Sequence, residues 1–160
     1  MLAYDTYQSP QGPMLIAATP KGLAGVYFKG QKHFPKRPEW RRDPRHPVLR
    51  KARRELAEYF AGKRKRFEVR LDPAGTPFQR SVWKQIAKVG FGKTLTYGEL
   101  AKRAGHPGSA RAAGAATGRN PLGIIVPCHR IMGANGSLTG YAGGLQRKRA
   151  LLALEGRDAG

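Results

Sequence analysis

The segment Pro127-Cys128-His129-Arg130 places the single cysteine of the chain directly before a histidine. A thiolate is the reactive form of cysteine, and a neighbouring base or cation lowers the pKa of a thiol. Because adjacent side chains diverge, a water molecule would have to bridge Cys128 and His129 for the histidine to act as base. The alternative is an inert cysteine of the core, which behaves as a small hydrophobic residue.

A histidine that accepts a proton from a nucleophile is usually oriented by an acid. After residue 75 the chain contains three acids, Glu99, Glu155 and Asp158. We expect Glu99 to be engaged in a helix capping box. Glu155, at the end of the last predicted helix, is the best candidate, and the pattern predicts a Cys–water–His–Glu relay.

Metal and disulfide chemistry have little support in the sequence. The histidines, His33, His46, His106 and His129, lack metal-ligand spacing. One cysteine cannot form an intrachain disulfide or a multi-cysteine zinc site. We therefore predict no metal and no cofactor.

The charge of the chain is strongly positive. Thirty Lys and Arg face ten Asp and Glu in 160 residues, which gives a net charge of +20 and a pI near 11.0. Such a field attracts polyanions, so DNA or RNA is the favoured partner, while a merely solvated basic surface remains the alternative. The chain lacks both an apolar run long enough for a membrane helix and a secretory signal, so we expect a soluble, cytoplasmic protein without membrane contact.

The first 75 residues predict a small α/β domain. Residues 48–60 place Val48, Ala52, Leu56 and Tyr59 on one helical face. The Pro-rich basic segment 31–47 is interpreted as an exposed loop, more simply a solvated tether than a binding arm. Short apolar or alternating runs predict strands at 2–7, 13–19, 23–29 and 66–71.

At residues 72–77 the strand patterns stop and capped helices begin, so we place the boundary between a domain 1–75 and a domain 76–160 here. Thr76 with Gln79, and Thr96 with Glu99, predict capping boxes. The first of these helices is expected to end at Gly90. Ser109 is expected to cap a third helix, and two helices joined by a Gly-containing turn predict a helix-turn-helix.

The third helix, ARAAGAATG at 110–118, has almost no side-chain bulk. Its two glycines weaken a helix by roughly 1 kcal/mol each, so a compensating close approach is expected. Close packing on another helix and insertion into a DNA groove, with Arg111 reaching in, explain the composition equally well.

The C-terminal part contains a buried run, a Gly-rich loop and a last helix. LGIIV at 122–126 predicts a short strand or extended segment, and residues 132–144 form the loop. In the helix, residues 145–156, we expect three leucines in the core and three cations in solvent; these are Leu145, Leu151 and Leu152, and Arg147, Lys148 and Arg149, respectively.

Residues 76–156 closely resemble the O6-alkylguanine-DNA alkyltransferases. The resemblance rests on GRNP, PCHR, GYAGG and LLALEG, with TPFQRSVW, LTYGELA and the small-residue helix in support. Residues 1–75 match more loosely, in the style of members with a ribonuclease-H-like first domain. The resemblance implies an α+β protein whose second domain is helical, winged-helix-like and carries a helix-turn-helix. We expect a monomer and leave open whether copies cluster along DNA.

The resemblance also implies an activity, methylated-DNA–protein-cysteine S-methyltransferase. The protein would flip O6-alkylguanine out of duplex DNA and move the alkyl group to Cys128. O6-methylguanine is the main expected substrate and O4-methylthymine a further one. A thioether has no leaving group that water displaces, so each molecule would act once.

Individual roles follow from the same resemblance. Cys128 corresponds to the alkyl acceptor, His129 to the base, Glu155 to the acid behind it, Asn120 to the holder of the active-site turn and Tyr97 to a donor near guanine N3. Arg111 corresponds to the arginine that replaces the flipped base. The other residues expected on minor-groove DNA are Tyr97, Ala110, Ala112, Gly114, Ala115, Arg119 and Arg130, and those expected on the substrate base are Tyr97, Cys128, Ile131, Tyr141 and Ala142.

Two other functions compete with this one. A binding module could recognise alkylated DNA and recruit repair partners, although binding alone requires neither PCHR nor Glu155. A basic cysteine hydrolase would need an oxyanion hole, for which the sequence offers no positive sign. The first domain lacks the cysteines with which some family members bind zinc, and Cys128 distinguishes the chain from non-catalytic relatives with Trp at that position.

Overall fold

A computed structural model describes residues 2–36 and 39–156. The N-terminal part contains a sheet of β1 (Ala3–Ser9), β2 (Gly12–Ala18), β3 (Leu23–Phe28) and β4 (Arg41–Arg42) in the order β3-β2-β1-β4. The first three strands pair antiparallel, and β4 pairs parallel to β1. Helix α1 (Pro47–Phe60) packs on the sheet through the predicted apolar face. The three N-terminal strands and this helix confirm the prediction.

The basic segment 31–47 is irregular and largely exposed, apart from the two-residue strand β4. Its residues 37 and 38 lie outside the described residues. The start of the segment lies against the C-terminal domain, where the Lys32 N–H donates to the Ala142 carbonyl at 3.0 Å. The prediction of an exposed loop therefore holds for the described residues, but one end of the loop is anchored.

The strand predicted at 66–71 is wrong. This segment makes a single bridge, Leu23 with Leu71. The Glu55 carboxylate on α1 accepts the backbone N–H groups of Glu68 and Val69 at 2.9 and 3.1 Å. Because the Glu55 carboxylate satisfies these two donors, they do not pair with a neighbouring strand. Val69 is nevertheless buried, as the alternation predicts.

The C-terminal part is helical, and both predicted capping boxes form. Thr76 caps the first helix and Thr96 the second. The first helix ends at Ile86, not at Gly90, because a tight turn follows in which the Val89 N–H donates to the Ile86 carbonyl. The elements are α2 (Pro77–Ile86), β5 (Leu95–Thr96), α3 (Tyr97–Arg103), α4 (Ala110–Gly118), β6 (Ile131–Met132) and α5 (Leu145–Leu154).

Helices α3 and α4 form the expected pair around a turn that contains Gly105 and Gly108, both at positive φ. Ser109 occupies the N-cap position of α4, but its side chain makes no capping hydrogen bond. The start of α4 is therefore held by packing on α2 and α3 rather than by the predicted cap.

Residues 122–126 are buried, but they turn instead of forming a strand. The Val126 N–H donates to the Leu122 carbonyl at 2.8 Å, and Ile124 has a φ of 70°. A β-branched residue rarely adopts positive φ, so the surrounding structure must impose this conformation. Strand β3 contributes: its Val26 accepts from Gly123 and donates to Pro121.

Helix α5 differs from its prediction in three side chains. Arg147, expected in solvent, is half-buried, with its guanidinium 4.5 Å from the centroid of the Phe28 ring and its Nε donating to the Gln11 carbonyl at 3.0 Å. Leu145 is 43% exposed, whereas Lys148 is fully buried; Leu151 and Leu152 lie in the core as expected. Lys148 precedes those leucines by three and four residues, so helical spacing places it on their face.

One contiguous apolar core runs through both parts of the molecule, from Met14 on β2 to Leu151 on α5. A sheet domain followed by a helical domain confirms the predicted α+β fold. Among the described residues, no helix has both the length and the apolar character of a membrane span.

Candidate active site

Cys128 begins a short 3₁₀ turn, Cys128–Arg130, directly after the strained turn. Asn120 holds the preceding turn, residues 122–126, at both ends, since its Nδ2 donates to the Val126 carbonyl at 2.8 Å and its Oδ1 accepts from the Leu122 N–H at 2.9 Å. This position agrees with the predicted role of Asn120. Cys128 is 6% exposed and lines a cavity.

His129 and Glu155 are joined in the interior. His129 Nε2 lies 2.8 Å from Glu155 Oε2, and both side chains are fully buried. His129 Nδ1 has no hydrogen-bond partner within the described residues. Burial lowers the pKa of His129 despite the opposing pull of Glu155, so the ring is neutral near pH 7. With the proton on Nε2 shared with Glu155, Nδ1 is left as the acceptor.

Glu155 is the most heavily bonded side chain of the site. Arg130 binds it with two donors, Nε to Oε1 and Nη2 to Oε2, each at 2.8 Å, and the Tyr59 hydroxyl donates to Oε2 at 2.6 Å. Burial alone would raise the pKa of Glu155, but the hydrogen bonds from His129 and Arg130 outweigh it and hold the pKa well below the usual range. The carboxylate is therefore ionised throughout the physiological range.

Arg130 does not occupy the DNA-binding position predicted for it. The residue is 5% exposed, and its Nη1 also donates to the Val89 carbonyl at 2.6 Å. Its guanidinium neutralises Glu155 inside the protein, because a buried carboxylate requires a partner.

The Cys128 thiol is not a preformed thiolate. Burial raises its pKa, and a hydrogen bond with Asn120 and the charge of Lys148 only partly oppose this. Lys148 Nζ donates to the carbonyls of Ile131 and Thr139 at 2.6 and 2.8 Å and thereby ties the two sides of the Gly-rich loop to α5. A base must therefore remove the thiol proton during the reaction.

The cavity over Cys128 has a volume of about 460 Å³, within the usual range for a small-molecule site. Tyr97, Tyr141 and Ala142 line it as predicted, together with residues of α4. Burial raises the pKa of Tyr97, so its hydroxyl stays protonated and can donate. Lys32 and His33 from the N-terminal loop also reach the cavity, which the sequence did not indicate.

The Ile131 side chain does not reach the cavity, and contact between the substrate base and backbone groups near Ile131 stays a prediction. The residue is fully buried, and it is not among the residues that line the cavity. Its N–H donates to the Cys128 carbonyl and its own carbonyl accepts from Lys148, so its backbone groups maintain the loop.

Helix α4 supports both explanations of its small residues. Its inner face packs closely, with Ala113, Ala116 and Thr117 buried and Trp83 Nε1 donating to the Ala116 carbonyl at 2.7 Å. On its other face Ala110 and Gly114 are half-buried and Arg111, Ala112 and Ala115 are exposed, as is the C-cap residue Arg119. Of these residues, Gly114, Ala115 and Arg119 line the cavity.

Two buried residues of the site were missed by sequence reasoning, Tyr59 and Lys148. The helical pattern predicted Tyr59 as a core residue, but it did not reveal the acceptor of its hydroxyl, Glu155, which lies 96 residues away in the chain. Lys148 could have been found from its spacing to Leu151 and Leu152. Asp158, the remaining acid considered for the relay, lies outside the described residues. Within the described part of the chain, no three His, Cys, Asp or Glu side chains cluster so as to hold a metal ion.

Comparison with known proteins covers nearly the whole chain. Residues 2–73 match the 6-O-methylguanine DNA methyltransferase ribonuclease-like domain, and residues 77–157 match the DNA binding domain of the same family. The chain is 49% identical to a methylated-DNA–protein-cysteine methyltransferase of Methanosarcina acetivorans, over 96% of this chain and 97% of the relative. It is 47% identical to the protein of that name from Mycobacterium tuberculosis, over 97% and 93%.

Solved structures agree. The crystal structure of Mycobacterium tuberculosis OGT in complex with DNA matches with a TM-score of 0.89 and 46% identity, over 96% of this chain and 92% of that one. The Mycobacterium tuberculosis O6-methylguanine methyltransferase matches with a TM-score of 0.88 and 47% identity, over 97% and 93%. With both domains matched in order, Cys128 at the cavity and the adjacent His129 joined to Glu155 in the interior, the chain belongs to the 6-O-methylguanine DNA methyltransferase family.

Proposed function

We propose that this protein repairs duplex DNA by transferring the alkyl group of O6-alkylguanine, chiefly O6-methylguanine, to the sulfur of its own Cys128. The observation that carries the proposal is the arrangement of the site: the thiol lies at the cavity, and the next residue is a buried neutral histidine with Nε2 on Glu155 and Nδ1 unpartnered among the described residues. Neither a binding module nor a structural protein requires such a relay.

The chemical step is one in-line displacement. The Cys128 proton passes through a water molecule to His129 Nδ1 while the sulfur attacks the alkyl carbon, and the C–O6 bond breaks with its electron pair on oxygen. The resulting imidazolium is stabilised by Glu155, which remains ionised. Negative charge that develops on guanine is relieved by a hydrogen bond from Tyr97, which stays protonated. The thioether is final, so each molecule reacts once.

Access to O6 requires the nucleotide to leave the helix, because the atom is hidden within the base stack. The minor groove is only about 6 Å wide, and the exposed Ala112 and Ala115 leave room for the backbone of α4 to enter it. Arg111, on the first turn of α4, is the side chain that we assign to the space left by the base. Arg119, on the cavity side, is assigned to the phosphate backbone.

The chemistry requires a reduced thiol, so we expect the protein to act in the cytoplasm, where thiols are kept reduced. The absence of a cofactor and a monomeric state remain predictions, as does activity on O4-methylthymine.

A direct test is mass spectrometry after reaction with a duplex that contains one O6-methylguanine. We expect the mass of one methyl group on the peptide containing Cys128, in a 1:1 ratio, and guanine restored in the oligonucleotide. Because the chain contains a single cysteine, any S-alkylation identifies the acceptor. Tight binding without a covalent change would instead indicate a binding module, and repeated turnover of a small substrate would indicate a hydrolase.

A further inference from the structure

Tyr59 connects the N-terminal domain to the relay. It lies near the end of α1, is fully buried, and donates its hydroxyl to Glu155 Oε2 at 2.6 Å. The same oxygen is bonded to His129 Nε2 and Arg130 Nη2, each at 2.8 Å. A residue of the sheet domain therefore shares the acceptor on which the proposed base depends.

The ring of Tyr59 is held in place by aromatic neighbours. Phe60, Phe67 and Phe91 lie with ring centroids 5.4, 5.6 and 6.3 Å from it. These contacts come from α1, from the segment after it and from the C-terminal domain, so the hydroxyl has little freedom to swing away. Burial, together with the negative charge of Glu155, raises the pKa of Tyr59, and the group remains a donor at every relevant pH.

We propose that Tyr59 is a positioning residue of the alkyl-transfer reaction, through which the N-terminal domain sets the basicity of Glu155 and hence of His129. The proposal rests on the proposed function in one respect, namely that His129 is the base that accepts the Cys128 proton. Tyr59 itself does not contact the reacting atoms.

The direction of the effect follows from the shared oxygen. A hydroxyl that donates to Oε2 stabilises the carboxylate and makes it less basic. Oε2 then holds a proton on His129 less firmly, which keeps the imidazole neutral and ready to accept the thiol proton. Without the hydroxyl, Glu155 would stabilise the imidazolium more strongly, and the pKa of His129 would rise.

Other titratable groups face the relay and must be considered. Arg130 lies on Glu155, the charges of Arg130 and of Lys148 on α5 act on His129, and Tyr141 of the Gly-rich loop is affected by the charges of Cys128 and Glu155. All of these belong to the C-terminal domain. None is altered when the hydroxyl of Tyr59 is removed, so a change in pH dependence would report the Tyr59 contact.

The test compares Tyr59→Phe with the native full-length protein. Phe keeps the ring and its packing and removes only the hydroxyl. The rate of Cys128 alkylation by the free base O6-benzylguanine is measured against pH, and the pKa of His129 is followed separately by NMR. We expect the acid limb of the rate profile, and the His129 titration, to move up by about one pH unit, as expected for the loss of one buried hydrogen bond.

Two further variants sharpen the test. Tyr7→Phe is the matched control: the Tyr7 ring on β1 stacks on Phe60, beside Tyr59, but its hydroxyl is not among the donors to Glu155, so its removal should leave both titrations unchanged. Site-specific replacement of Tyr59 by 3-fluorotyrosine makes the hydroxyl a stronger donor and should move both titrations downward.

If the native, Tyr59→Phe and fluorotyrosine proteins gave the same pH–rate profile and the same His129 titration, the proposal would be overturned. Tyr59 would then be a packing residue only. If the native protein failed to alkylate Cys128, the proposed function would fall, but the NMR titration would still decide whether Tyr59 tunes His129. A uniform loss of rate without a shift would also contradict the assigned role.

Discussion

The relay of Cys128, His129 and Glu155 and the outer face of α4 belong to the same domain and meet at one cavity, which Cys128 and Ala115 both line, yet they are built in opposite ways. In the relay His129 and Glu155 are fully buried, and Glu155 is bonded by groups from α1, the 3₁₀ turn and the loop before β5. The α4 face consists of exposed small residues and two exposed arginines, Arg111 and Arg119.

The difference separates chemistry from recognition. Buried polar groups act strongly on one another because water does not screen them, so a change in the relay alters both reactivity and stability. Exposed cations are screened and contribute to binding at long range without supporting the fold. Substitutions in the two regions should therefore have separable effects, and each prediction below is a way to test that separation.

The largest effect is expected for Cys128→Ser. The variant should transfer no alkyl group, because a serine hydroxyl is far less nucleophilic than a thiol, while its affinity for duplex DNA stays near native. Single-turnover repair assays and DNA titrations measure the two properties. A variant that still removed the methyl group would end the assignment of Cys128 as acceptor.

Glu155→Gln should damage both chemistry and stability. The loss of charge leaves Arg130 unpaired in the interior, and breaking a buried pair costs about 3–5 kcal/mol. Losing support for the imidazolium should slow alkylation by roughly 10²-fold. Chemical denaturation and the O6-benzylguanine rate measure these effects, and a variant with native stability would show that Arg130 finds another partner.

Acidification should reduce both activity and stability. The folded-state pKa values of His129 and Glu155 are lowered, so the contribution of each group to stability is complete above its unfolded value, near 6.5 and 4.3, and is lost as the pH falls from that value through the lower folded-state pKa. The rate should drop about tenfold per pH unit once His129 is protonated. Alkylation rates and thermal unfolding from pH 8 downward test this; a rate that stays constant to low pH would remove His129 as base.

Arg111→Ala should act on recognition alone. Repair of a guanine in duplex DNA should slow by about tenfold, since stacking that replaces a lost base is worth on the order of 1–3 kcal/mol. The free base needs no flipping, so its reaction with Cys128 should change little, and Arg111→Lys should restore charge but less of the stacking. Equal slowing on both substrates would place Arg111 in the pocket rather than in the duplex.

The smallest effect is expected for Arg119→Gln. If Arg119 contacts one phosphate, the magnitude of the slope of log affinity against log salt should decrease by about 0.9. Affinity measured at several salt concentrations gives the slope. An unchanged slope would mean that the exposed charge of Arg119 is not used on DNA.

Local signals predicted the elements well. Thr76 and Thr96 form capping boxes because the required donors and acceptors lie three residues apart. The first three strands appear where short apolar runs are separated by turn residues. Each of these features depends on neighbours in sequence, which is why periodicity and turn chemistry suffice to find them.

Predictions failed where a distant group changed the local outcome. Residues 66–71 alternate as a strand should, but Glu55 takes the N–H groups of residues 68 and 69. Arg130 was expected on DNA and Lys148 in solvent, whereas both are buried on acceptors from elsewhere in the chain. A single sequence does not reveal such partners.

The sequence by itself determined the reactive group and its class of partner. A single cysteine, the adjacent histidine, one suitable acid near the end of the chain and a charge of +20 follow from residue types and short spacings. Only the tertiary structure decided how these groups act: Glu155 meets His129 from 26 residues away and Tyr59 from 96. The strength of a buried hydrogen bond depends on every donor that shares its acceptor, and these donors come together only when both domains are packed on one core.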